Sequence, residues 1–217
     1  MRVFITIFAS LSFSMGPTEI VLATETDSLM DAYYKQKVAL KKEADAVLKS
    51  LQSGDWSIII DHLEKVNRRY PKGLERTDKS TPRGQNFDTM DTEWRAWSES
   101  FRNPKGKKSK GKTPDWIKQV LDNDCSKYLA QKTKNKSNVA EIFVMDRLGG
   151  TSCTIEPTSD FDQGDEAKFQ IPRSTRKVHQ GELKKDKSSN SVSIQVSYPI
   201  VEKGQFVGAV TIGLTLD

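Results

Sequence analysis

The chain of 217 residues is poor in the residue types that most metal and acid–base chemistry needs: it has two cysteines and two histidines. That scarcity removes the functions built on metal clusters or on several titrating imidazoles. Neither His62 nor His179 lies at ligand spacing from Cys125 or Cys153, so a Cys/His metal site is not expected. The sequence has no Gly-rich phosphate loop and no paired-histidine zinc helix. Nucleophilic hydrolysis needs a base beside its nucleophile, and neither histidine sits in a recognisable motif. Charge of one sign is also lacking. Against 34 Lys+Arg stand 29 Asp+Glu, a net of +5 spread along the chain, which does not indicate nucleic-acid binding. No apolar run reaches the roughly 20 residues that span a bilayer.

What is present suits a soluble, folded, exported protein. Four Trp, nine Phe and five Tyr supply a core, which argues against global disorder. Arg2 is followed by thirteen uncharged residues, Val3 to Met15; Gly16-Pro17 breaks that run, and Val21-Leu22-Ala23 carries small or short side chains. This is the grammar of a signal peptide over residues 1–23, with a mature start at Thr24 and a periplasmic destination. No Cys follows the cut, so no lipid anchor is expected. In an oxidising compartment Cys125 and Cys153 have one pairing open to them. Closing that loop would add roughly 3.6 kcal/mol; the alternative is two free buried thiols.

The chain divides into a helical front, 24–112, and a strand-rich back, 113–217. Tyr33, Leu40, Ala44, Val47, Leu48 and Leu51 predict a helix over 28–52. Trp56, Ile59, Ile60, Leu63, Val66 and Tyr70 predict a second, ending at Pro71. Residues 71–87 read as loop. Met90, Trp94, Trp97 and Phe101 predict a short third helix, its aromatic stripe read first as core. The Lys-rich stretch 104–112 reads as a solvated loop, with a polyanion or anionic-lipid contact as the sharper reading. Thr113-Pro114-Asp115 signals the start of one further helix that carries Trp116, Val120, Leu121, Tyr128 and Leu129. From Val139 the period changes to two. Strands are expected over 140–146, 151–155 and 206–216, with a weaker one within 176–183. In 191–201, Val192, Ile194, Val196, Tyr198 and Ile200 alternate with Ser191, Ser193, Gln195 and Ser197, so one face is buried and the other is wet or lines something polar.

Certain of these residues resemble the extracytoplasmic Cache (PDC-type) sensor domain. They are Glu141-Ile142-Phe143-Val144-Met145-Asp146 with its Gly turn, then Thr158 to Phe169, then Gln195 to Ile200 and Val207 to Gly213. In that family a first strand ends in Asp-x-x-Gly, a loop and short helix follow, and two long strands close the domain. The resemblance covers about 113–217. It implies an α+β, PAS-like fold: a central antiparallel sheet of about five strands, a long N-terminal helix, further helices packed on one side, and a ligand pocket on one face. A single long helix suggests the single-Cache variety. The chain has an exported leader and ends at its last strand, so a stand-alone form without its own output domain is expected. Arg95-Ala96-Trp97 is followed by Ser98 and lies ahead of the sheet, so the amino-acid-binding motif of some family members is not carried over.

The acidic loop Asp160-Phe161-Asp162-Gln163-Gly164-Asp165-Glu166 is the best candidate site. It fails as an EF-hand, because its Gly falls at position 5 and position 12 is Ile171. Its carboxylates either contact a ligand or support the next helix at its positive end, with Lys168 as a salt-bridge partner. Asp160, Phe161, Asp165, Glu166, Arg173 and Tyr198 form the expected ligand-binding set; no catalytic residue, metal or cofactor is expected. Arg173 suits a bidentate carboxylate contact, and Tyr198, on the apolar face, is otherwise core. The leading functional reading is a non-catalytic periplasmic module that binds a small polar metabolite and signals through a separate membrane-bound receptor, kinase or cyclase. The alternative is a structural or adaptor protein whose sheet is filled by its own side chains. Nothing in the sequence fixes the oligomeric state.

Overall fold

The computed structural model describes residues 17–70, 82–102, 113–185 and 192–216. The hydrophobic part of the expected leader, the segment 71–81 and the Lys-rich stretch lie outside the described residues. Two compact units divide the chain, Met1–Ala39 and Leu40–Asp217. Helix α1 (Pro17–Gln52) contributes to both, and the expected cleavage point after Ala23 falls within it. In the first unit, Lys35 pairs with Asp31 one turn earlier at 2.6 Å, and Leu29, Met30, Tyr34 and Val38 are exposed.

The second unit is an antiparallel sheet with helices on both faces. Its strands are β1 (Val139–Asp146), β2 (Thr151–Thr154), β3 (His179–Gln180), β4 (Lys184–Lys185), β5 (Val192–Glu202) and β6 (Gln205–Leu216). The order is β2-β1-β6-β5-β3, and β4 also pairs with β5. Strand β6 is therefore central, as its two apolar faces require. Strands β5 and β6 form a hairpin whose turn places Lys203 and Gly204 at positive φ. The α+β, PAS-like architecture expected from the sequence is the one observed.

The main core lies on one face. Ile142 and Val144, Ile194 to Ile200 at alternate positions, and Val210, Ile212 and Leu214 pack against Leu40, Ala44, Val47 and Leu51 of α1, with α2 (Ser57–Asn67) and α5 (Asp124–Thr133) alongside. Fully burying each such side chain contributes about 1.5–3 kcal/mol. Tyr198 belongs here: its hydroxyl donates to Asp45 Oδ1 at 2.7 Å. A second core gathers Phe87 and Trp94 of α3 (Pro82–Arg102), Ile117 of α4 (Asp115–Leu121), Leu148 and Phe161. On the opposite face of the sheet, Phe169 of α6 (Ala167–Thr175) packs on Phe143, Met145 and Ala209. Helices thus cover both faces rather than one side alone.

Helix α1 starts at Pro17 rather than at 28 and α2 ends at Asn67; further differences from expectation have local reasons. Helix α3 begins at Pro82, inside the stretch read as loop, because Pro at a first helical position needs no hydrogen-bond partner. The single helix expected after Thr113 is two. Asn123 interrupts it: its side chain caps α5 by accepting from the Ser126 N–H and donates back to the Gln119 and Val120 carbonyls. Thr113 does not cap α4, whose start has no side-chain cap; its hydroxyl accepts from Trp97 Nε1 at 3.2 Å. Cys125 and Cys153 are disulfide-bonded, which ties α5 to β2.

Candidate functional site

The Asp-x-x-Gly turn is held by its own carboxylate. Asp146 is buried at the end of β1, and its Oδ1 accepts the N–H groups of Leu148, Gly149 and Gly150 at 2.8, 3.0 and 3.2 Å. Its Oδ2 accepts the Tyr70 hydroxyl. Burial pushes this carboxyl up, against the opposite pull of the hydrogen bonds it accepts. Gly149 sits at φ +99°, and a Cβ there would stand 2.3 Å from the Gly164 Cα. The missing side chain lets the turn approach the acidic loop.

That loop is anchored to α3. Asp91 Oδ1 accepts the N–H groups of Phe161 and Asp162 at 2.9 and 3.0 Å. Arg95, one turn on, bridges Asp91 Oδ2 at 2.6 Å and Asp160 Oδ2 at 3.1 Å. Gln163 is fully buried and donates to Asp160, while its Oε1 meets no hydrogen-bond partner. Asp160 is consequently absorbed in the loop's own scaffold. Among the described residues, no cluster of His, Cys, Asp and Glu could hold a metal.

The polar face of the sheet carries an ordered row. Glu141, Gly213 and Gln195 are cross-strand neighbours on β1, β6 and β5. Gln195 Nε2 donates to Glu141 Oε1 at 2.6 Å across the central strand. Only glycine permits this, since a Cβ on residue 213 would lie 2.4 Å from Glu141 Cγ. In the next row Ser197 and Thr211 share a buried hydroxyl–hydroxyl bond of 2.8 Å. The start of α6 overhangs the first row. Glu166 is its N-cap position and pairs with Lys168 at 3.0 Å. Lys168 is buried, its Nζ 5.5 Å from the Phe143 ring centroid.

Between the row and α6 lies a cavity of about 440 Å³, lined by Glu141, Gln195, Ser193, Thr215, Glu166 and Lys168 among others. A second cavity of about 500 Å³ lies by the Asp146 turn, walled by α2, α3 and α4. The residues expected to bind ligand are therefore dispersed. Glu166 lines the first cavity and Phe161 the second. Asp160 is in the scaffold and Asp165 is exposed at the loop surface. Arg173 is half-buried in the last turn of α6, and Tyr198 is in the main core on the other face. The polar alternation of β5 pointed to Ser193 and Gln195. The sequence points to Lys168 only as a salt-bridge partner of the acidic loop, which it is, and to Glu141 and Gly213 only as parts of the resembling strands, because their place at a cavity depends on which strands become neighbours.

No protein-family model matches the chain, and no curated protein does. Solved structures similar to it include the ligand-binding domain of the Pseudomonas aeruginosa PAO1 amino acid chemoreceptor PctC in complex with GABA. There the identity is 14%, the match covers 62% of this chain and 60% of that one, and the TM-score is 0.36. The sensory domain of the Campylobacter jejuni chemoreceptor Tlp3 with isoleucine bound matches at 12% identity, over 78% of this chain and 61% of that one, with a TM-score of 0.35. The V. cholerae histidine kinase DctB sensor domain matches at 16%, over 82% and 57%, with a TM-score of 0.32. The aligned part spans less than two thirds of each. All three are ligand-binding or sensory domains of receptors and kinases. Among the described residues no helix is long and apolar enough to cross a membrane.

Proposed function

We propose that the second unit is a non-catalytic periplasmic sensor module, and that it binds a small polar metabolite in the cavity between α6 and the polar row of the sheet. The Glu141–Gln195 pair over Gly213, facing buried Lys168, is the observation that carries this reading. A carboxylate, an amide and an ammonium around one open volume bring donors and acceptors together, more than packing of a sheet face requires. A cavity of this size falls in the range of small-ligand sites. Glu141 offers acceptor oxygens to a ligand amine or hydroxyl, and Lys168 offers a donor to a ligand oxygen.

A ligand that engages Lys168 competes with Glu166 and so acts on the first turn of α6. The acidic loop runs directly into that turn and is held to α3 by Asp91. A shift of α6 would reach α3 by that route. A ligand biases two conformations only by its difference in affinity for them. The reader is a separate membrane-bound receptor, kinase or cyclase that contacts the loop or the helices.

A thermal-shift screen with amino acids, organic acids, amines and purines tests the reading. At least one compound should raise Tm in the unaltered protein and fail to do so in Glu141→Leu and in Lys168→Met. No shift with any compound, or a shift that both variants retain, would overturn it.

A further inference from the structure

The second cavity is separate, and no residue lines both. Its walls are the aromatic faces of Tyr70, Phe87, Trp116 and Phe161, with Met90 and Val120 between them. Polar groups at its floor are engaged within the protein. His62 Nε2 bonds the Ser152 carbonyl at 3.0 Å, Asn123 Nδ2 donates to the same oxygen at 3.1 Å, and Asp146 is taken up by Tyr70 and its turn. At the rim, Asp122 is paired with Lys127 at 3.0 Å. Lys65 and Arg69 also line the cavity. They are exposed, Lys65 in the last turn of α2 and Arg69 in the turn that follows its end at Asn67, and they pair with no carboxylate among the described residues. The cavity thus combines an apolar body with two cations at its edge.

We infer that this cavity is a second ligand site, and that it takes a small organic anion with an aromatic or branched apolar body: the body enters among Tyr70, Phe87, Trp116 and Phe161, and the acid group faces Lys65 and Arg69. A volume of about 500 Å³ accommodates one such molecule. Aromatic walls bind an apolar ring through area and through edge or stacked contacts. The guanidinium fork of Arg69 matches a carboxylate in geometry. A purely apolar guest would leave the two cations unused. A cationic guest would be repelled by them.

The test uses 3-phenylpropionate as probe and its uncharged analogue 3-phenylpropanamide as control, followed by NMR of the tryptophan indole N–H signals of the whole protein. Trp116 is identified by the loss of its signal in Trp116→Phe. The acid should bind saturably and shift the Trp116 signal. Its affinity should fall about tenfold in Lys65→Gln/Arg69→Gln, and the amide should bind about tenfold more weakly than the acid. Both substitutions are at exposed positions, so the variant keeps its fold. Lys177→Gln, at an exposed position outside both cavities, should leave the titration unchanged. No saturable shift at Trp116, equal affinity for acid and amide, or undiminished binding in the double variant would each overturn the inference.

Discussion

At the scale of single residues, Asp146 is the group on which the most local structure depends. One carboxylate oxygen accepts three consecutive backbone N–H groups, and the other holds the Tyr70 hydroxyl. Truncation would leave the N–H groups without an acceptor in a buried turn, and an unsatisfied buried donor costs more than a hydrogen bond contributes. Asp146→Ala should therefore lower the unfolding free energy by roughly 3–5 kcal/mol in urea denaturation. Asp146→Asn keeps an oxygen for the turn and should lose less. Equal losses in the two variants would mean that the turn does not need the acceptor. The Asp-x-x-Gly spacing was visible in the sequence, and the capping bonds it makes are local; what the spacing does not show is that the chain returns Gly164 beside Gly149.

Among elements, the sheet supplies the frame and the disulfide fixes one helix to it. Cys125 lies in the first turn of α5 and Cys153 in β2, 28 positions apart in sequence. Constraining an unfolded loop of that length stabilises the native state by about 3–4 kcal/mol. Cys125→Ala/Cys153→Ala should show that loss in chemical denaturation. Amide exchange should speed up in α5 and β2 before the β5–β6 hairpin, whose long ladder does not depend on the bridge. A uniform rise in exchange across the sheet would contradict this assignment. Most of these elements were legible from periodicity. The alternation of β5, the two apolar faces of β6 and the heptad-like spacing in α1 each encode burial directly. The split between α4 and α5 was not legible, since Asn123 has no helix-breaking propensity comparable to Pro or Gly; its capping bonds decide the matter. The start of α3 at Pro82 was hidden by the Pro/Gly/charge composition around it. The candidate sites were legible only in part. Sequence carries the polar stripe Ser193–Gln195 and the acidic loop, but the loop's carboxylate at Asp160 is spent on Arg95, and the cavity walls come from strands and helices far apart in the chain.

For the molecule as a whole, the pH dependence of stability brings these pieces together. His62 sits on α2 and reaches β2 through the Ser152 carbonyl. Burial holds its pKa below the ordinary value, Arg69 and Lys65 press in the same direction, and the Ser152 bond and Asp124 oppose them. The folded state therefore takes up a proton less readily than the unfolded chain. Above the unfolded value of about 6.5 the imidazole is neutral in both states and its contribution to stability is fully present. As the pH falls through that value toward the lower folded one, the unfolded chain protonates first and the contribution is lost. Asp146, whose pKa is raised, acts with the opposite sign: its contribution is present at low pH and is lost as the pH rises through its folded value. The two slopes oppose each other, so the total curve alone does not identify either group. A comparison does. Between about pH 5 and about pH 8 the wild-type protein should gain stability with pH relative to His62→Asn, while Asp146 acts equally in both and cancels. An unchanged difference across that range would mean that His62 is not held neutral. Its position beside Lys65 and Arg69 also links this measurement to the second cavity. An anion bound between those two cations would weaken their push on His62 and raise its pKa, so 3-phenylpropionate should flatten the difference between the two proteins at the acid end.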